Sequence, residues 1–213
     1  MRRSTRASST SSGDWRPALA RGVRAAVART FTSGAEGGPS AAATADGDAG
    51  PVVIVLDDAL RILGQTPRTD AHLRALLPPG PDTPPVPAAA LNVAAQLLAR
   101  EAGVDDHPAT GRVHLGGGRW MTLRADRLGE GSIGVTLEPS TPSERVDLLA
   151  RSAGLTPRET ELAGLLLTGQ DTRHLAHRMG LSEHTVQDHL KAVFAKTGIP
   201  GRAALVARIL GTA

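Results

Sequence analysis

Leu181-Ser182-Glu183-His184-Thr185-Val186-Gln187-Asp188-His189-Leu190 decides how the last third of this chain folds. Ser182 is of the residue type that caps a helix, and it stands just before an apolar rhythm. Val186, Leu190, Val193 and Phe194 recur at helical spacing, which predicts a helix from Glu183 to about Thr197 with that stripe inward. Gly198 and Pro200 end it. Removing the stripe leaves Glu183, His184, Gln187, Asp188 and Lys191 on the outer face. Just ahead, Asp171 can cap a shorter helix with Leu175, Ala176 and Met179 inward. Gly180 ends that helix in a left-handed turn, and Leu181 fills the corner. A helix, a short Gly-containing turn and a second helix form the arrangement that sets the second helix in the major groove of DNA. The capped start of that helix also presents free amides and a positive dipole end to phosphate.

The flanks continue the same pattern. Thr156-Pro157-Arg158-Glu159 reads as a capping box with Pro at the first helical position. Leu162, Leu165 and Leu166 form its buried face, and Gly169 stops it. Arg202 to Leu210 is a fourth helix with Leu205, Val206 and Ile209 apolar. Together, Leu155-Thr156-Pro157-Arg158-Glu159, Gly169, the 181–190 stretch and Lys196-Thr197-Gly198 resemble the LuxR-type (LuxR/FixJ) helix-turn-helix domain, over roughly Arg145 to Leu210. The resemblance implies a four-helix domain whose third helix reads double-stranded DNA and whose fourth helix supports a homodimer. It implies that Gln187, Asp188 and Lys191 face base edges, while Ser182, His184 and Thr185 approach phosphate. Lys191, Arg178, Lys196 and Arg202 would neutralise phosphate charge. The position of Gln187 is often Lys in that family, and Asp188 puts an acid on the reading face. Gln can pair with adenine and Asp can accept from cytosine N4, so these departures alter the expected operator rather than the expectation of DNA binding.

Upstream, Val52-Val53-Ile54-Val55-Leu56 is a β-branched strand ending at Asp57-Asp58, with Arg61 to Gly64 as a short partner. Thr69 to Leu77 and Pro87 to Ala102 read as helices around a proline-rich loop, Pro78 to Pro87. Arg112 to Leu115, Trp120 to Leu128 and Ser132 to Leu137 follow as antiparallel strands. The fold class expected is therefore α+β, with a small sheet domain at 51–139 followed by an all-α domain at 145–213. Pro139 to Glu144 reads as a linker between them. The middle region resembles a PAS-like sensor domain. Ahead of it lie a Ser/Arg-rich tail expected to be disordered (1–13), a helix at 14–31 with Leu19, Val23, Val27 and Phe31 on one face, and a linker at 32–50. In PAS-like regulators such a helix often closes a preceding sensor domain, so a shortened regulator or a late-called start is expected.

Several other readings fail on particular residues. Asp57-Asp58 resembles the acid pair of a phosphoacceptor, but the first lysine of the chain is Lys191 and the required strand-end lysine is missing. Gly116-Gly117-Gly118 lacks the Lys-Ser/Thr and helix of a phosphate loop and reads as a hairpin turn. His174 and His177 stand three apart, yet the nearby acids are capping or surface residues, so no metal site is expected. The chain has no cysteine, which removes thiolate metal sites and cysteine nucleophiles. Trp120 is expected in the middle-domain core rather than lining a ligand pocket. No cofactor and no enzymatic activity are expected, and the absence of a long apolar run argues against a membrane span. A cytoplasmic regulator is the expectation, with RNA polymerase and a small-molecule ligand of the PAS-like region as candidate partners. The rival classes are a sigma-factor-like protein and a protein-interaction signalling protein without independent DNA binding.

Overall fold

The computed structural model of the chain describes residues 25–26, 51–76, 84–85, 87–115 and 119–212. The tail, the linker and nearly all of the helix expected ahead of residue 51 lie outside these, as do the glycine turn at 116–118 and most of the proline-rich loop.

Alternation builds the sheet. In β1 (Val52–Asp57), Val52, Ile54 and Leu56 point inward and are buried. Asp57 ends the strand as a turn residue. Its carboxylate accepts from the Arg61 amide at 2.8 Å and from the Arg61 guanidinium at 2.7 Å, which sets the turn into β2 (Ile62–Gln65). Asp58 and Glu101 both pair with Arg127. The acid pair that resembled a phosphoacceptor is thus a turn residue and an ion-pair partner.

Two helices follow, α1 (Thr69–Leu76) and α2 (Ala88–Glu101), then β3 (Thr110–His114), β4 (Trp120–Gly129) and β5 (Ser132–Pro139). The five strands form one antiparallel sheet in the order β2-β1-β5-β4-β3. Ala90, Val93, Ala94 and Leu97 of α2 pack with Leu123, Ile133 and Val135 on one face of it. Gly111 on β3 permits this close approach, since a Cβ there would stand 2.9 Å from the Val93 Cγ2.

The second unit is helical: α3 (Pro142–Ala153), α4 (Pro157–Leu166), α5 (Thr172–Met179), α6 (Glu183–Thr197) and α7 (Arg202–Leu210). Leu149, Leu162, Leu175, Val186, Leu205 and Ile209 meet at its centre. Each fully buried aliphatic side chain of this kind contributes about 1.5–3 kcal/mol. Among the described residues no helix is long and apolar enough to cross a membrane.

The junction differs from the expected linker. β5 continues to Pro139, and the Ser140 amide donates to the Trp120 carbonyl at 2.8 Å. Thr141 then caps α3 in a full capping box with Glu144. Only Ser140 and Thr141 lie between the strand and the helix, and both are held by hydrogen bonds. The Glu144 carboxylate accepts from the Thr122 hydroxyl at 3.0 Å and from Arg124 at 2.5 Å, both on β4. Trp120 likewise departs from expectation. It starts β4, but its side chain belongs to the helical core, with Val146 and Leu149 of α3 among the members of that cluster. Arg145, almost completely buried, donates to the Ile209 carbonyl at 3.1 Å and so caps the C-terminal end of α7.

Candidate nucleic-acid interface

Local capping chemistry positions the candidate reading helix. The Asp171 carboxylate accepts from the His174 amide at 2.9 Å and starts α5. Gly180 takes the left-handed conformation (φ 66°) that ends α5, and the Leu181 amide donates back to the Ala176 carbonyl at 2.9 Å. A side chain with a Cβ would be strained at Gly180, so the turn between the two helices depends on this glycine. One residue later the Ser182 hydroxyl accepts from the Thr185 amide at 3.1 Å, and the two hydroxyls lie 2.8 Å apart. Ser182 and Thr185 therefore do capping work at the start of α6, where unpaired amides face outward.

Helical period then sorts the side chains of α6. Val186 and Val193 are completely buried and Leu190 nearly so. Glu183, His184, Gln187, Asp188 and Lys191 are exposed on the opposite side, as the apolar stripe implied. The Gln187 amide nitrogen lies 3.4 Å from the Thr172 hydroxyl at the start of α5, so the two helices of the motif touch at this residue. Asp188 stands between two basic side chains of its own helix. The Lys191 ammonium donates to its Oδ1 at 3.1 Å, and the His184 Nε2 is 3.5 Å from its Oδ2. The Lys191 hydrogen bond, supported by the nearby His184, holds the Asp188 carboxyl below the usual carboxylate range.

Two residues expected at phosphate have partners inside the domain. Lys196 donates to both oxygens of Glu159, at 2.9 and 2.6 Å, and Glu159 is 5% exposed. Burial pushes the Glu159 carboxyl up, but the Lys196 ammonium and the Thr156 amide outweigh it and hold the group below the usual range. Arg202 donates to the Gln170 carbonyl, tying the start of α7 to the loop before α5. These contacts direct both cations toward the domain itself. Arg173 and Arg178 on α5, by contrast, are exposed. Sequence reading singled out Arg178 for phosphate and passed over Arg173. His174 engages the Asp171 cap at 2.8 Å, which accounts for the histidine that a metal reading would have used.

The sheet domain carries an open cleft of about 360 Å³ between α2 and β3, lined by Asn92, Gln96, His107 and Thr110 among others. His107 is held by Asp105 at 2.5 Å, which pulls its imidazole pKa upward.

Comparison with known proteins places the helical unit. Residues 153–209 match the family of bacterial regulatory proteins, luxR family. A probable transcriptional regulatory protein, SgaR, of Hyphomicrobium methylovorum is 40% identical over 70 residues, which are 32% of this chain and 33% of that protein. The spore germination protein GerE of Bacillus subtilis is 36% identical over 56 residues, 26% of this chain and 76% of GerE. Among solved structures, the Vibrio cholera VqmA–ligand–DNA complex aligns with 76% of this chain and 82% of its own, at 18% identity and a TM-score of 0.30. The chain spans a third or less of the length of the first curated relatives it matches. GerE, by contrast, is matched over most of its length, and the family match at residues 153–209 falls on α4 to α7 with the turn at Gly180 near its centre; the chain belongs to the luxR family of bacterial regulatory proteins.

Proposed function

We propose that this chain is a sequence-specific, DNA-binding transcription regulator of the bacterial cytoplasm, acting as a homodimer whose PAS-like sheet domain gates its helix-turn-helix domain. The observation that carries the reading is α6 itself. It is capped at Ser182, turned out of α5 at Gly180, and bears Gln187, Asp188 and Lys191 exposed on one face. A helix of this kind fits the major groove, with those three side chains toward base edges. Ser182, His184 and Thr185 lie at its amide-rich start, near phosphate. Arg173 and Arg178 add the phosphate neutralisation that Lys196 and Arg202 supply less readily from their internal contacts. One domain of this size makes few contacts. A homodimer would set two copies of α6 about 34 Å apart on a partly palindromic site.

Gating has a physical route in the junction. Trp120 and the Thr122–Glu144–Arg124 set connect β4 directly to α3, so a change in the sheet domain reaches the helical core without a flexible spacer. The cleft between α2 and β3 is the candidate site for a small-molecule ligand.

The test is binding to the DNA upstream of the protein's own coding region, measured for the parent, Gln187→Ala and Lys191→Ala across a salt series. Both variants are expected to bind more weakly and less selectively, and parental binding should weaken steeply as salt rises. Two variants that match the parent in affinity and selectivity would remove α6 from the reading role.

A further inference from the structure

The ion pair at the centre of the exposed face of α6 has a geometry that a base pair can match. The Asp188 Oδ1 and the Lys191 Nζ stand 3.1 Å apart, an acceptor beside a donor. In a C·G pair the major-groove edge presents the cytosine N4 amino donor beside the guanine O6 acceptor, and these two atoms are joined by a hydrogen bond of roughly 2.9 Å. A side-on approach therefore sets acceptor against donor and donor against acceptor at nearly equal spacing.

The charge balance of the face supports the same match. A carboxylate that enters the major groove meets the phosphate field, so it needs a donor from a base edge to offset repulsion. Cytosine N4 and adenine N6 are the amino donors there. The lysine decides between them. Guanine offers its ammonium two acceptors, O6 and N7, whereas thymine offers O4 beside a C5 methyl group. His184, one turn nearer the helix start, has its Nε2 3.5 Å from the other Asp188 oxygen, Oδ2, so the Oδ1 beside Lys191 is not the oxygen it engages. Asp188 and Lys191 are both exposed, with side chains 55% and 74% accessible, so neither is held back by the domain core.

We propose that Asp188 and Lys191 read one C·G base pair in each half-site as a unit, Asp188 accepting from cytosine N4 and Lys191 donating to guanine O6 and N7. This rests on the assignment of α6 as the reading helix.

Selection of bound duplexes from a random-sequence pool, with the full chain, tests it. The parent should enrich a half-site containing one strongly preferred C·G pair. Asp188→Asn should move the preference at the cytosine position to adenine by about tenfold, because Asn pairs with adenine N6 and N7. Asp188→Ala should lose preference at that position alone and bind random duplex more tightly than the parent. Circular dichroism of each variant should match the parent, as expected for an exposed position. A parent motif with A·T at that position overturns the proposal. So does an unchanged motif in both variants, although DNA reading by α6 would then stand. If the parent enriches no motif at low salt, the proposal and the reading beneath it fall together.

Discussion

The His114 and Trp120 rings face each other across paired strands, with centroids 4.9 Å apart and planes tilted by 44°. The relationship matters because the two side chains mark the end of the sheet domain that enters the helical unit. Trp120 is 5% exposed and lies in the helical core, although its backbone belongs to β4. A residue of the sheet thus places its side chain in the helical core, and the nearby Ser140 amide bond to the Trp120 carbonyl fixes the backbone at the same point.

Replacing Trp120 should therefore weaken the helical unit first, although the residue sits on the sheet. Trp120→Ala removes a buried aromatic and leaves a cavity, a change that costs about 3–5 kcal/mol. Urea unfolding followed by circular dichroism should show that loss, and the helical unit should unfold before the sheet. A loss under 1 kcal/mol with one shared transition would mean that the indole is not a core member of the helical unit.

Acid should weaken the same junction. Burial lowers the His114 pKa below its ordinary value of 6.5, and the charges of Arg119 and Arg145 lower it further. The native state thus holds a neutral imidazole, while the unfolded chain takes up a proton first as pH falls. The stabilising contribution is complete well above the ordinary histidine value and is lost as pH drops through it. His107 titrates with the opposite sign, because Asp105 raises its pKa. The measurement is therefore a difference between the parent and His114→Gln. From pH 7.5 to pH 5.5 the urea midpoint of the parent should fall further than that of the variant. Equal falls would show that His114 is not the group responsible.

The parts of the fold that rest on local chemistry were readable in the residues. Thr156, Asp171 and Ser182 each stand one residue before their helices and accept from the amides expected of them. The alternation of Val52, Ile54 and Leu56 marks β1 and its buried face. The sequence of two strands, helices and three strands emerges in the order expected. What was not readable depends on contacts far apart in the chain. Alternation says which side of β4 Trp120 occupies, but not that α3 covers that side. Residues 139–144 have the composition of a linker because Pro, Ser and Thr serve equally in loops and in caps. Here Thr141 caps and the Ser140 hydroxyl lies 2.8 Å from that of Thr122. On the candidate interface, the exposed face of α6 follows from its stripe alone. The engagement of Lys196 does not, because its partner lies 37 residues away.

That partner gives a third prediction. Glu159 does two jobs with one carboxylate. It closes the capping box of α4 by accepting from the Thr156 amide at 2.7 Å, and it receives the Lys196 ammonium from the last turn of α6. Lys196→Met leaves a buried carboxylate with the amide and without its counter-ion. A fully buried pair broken this way costs about 3–5 kcal/mol. Lys196 keeps 35% of its side chain exposed, so solvent screening brings the expected loss down to about 2 kcal/mol. If Lys196 acted chiefly at phosphate, its removal would instead leave stability unchanged and flatten the salt dependence of DNA binding by about one unit of slope. Chemical denaturation and a salt titration of the same variant separate the two. Glu159→Gln in the Lys196→Met background removes the stranded charge and should recover part of the lost stability. A Lys196→Met protein as stable as the parent would show that the pair does not hold α4 against α6.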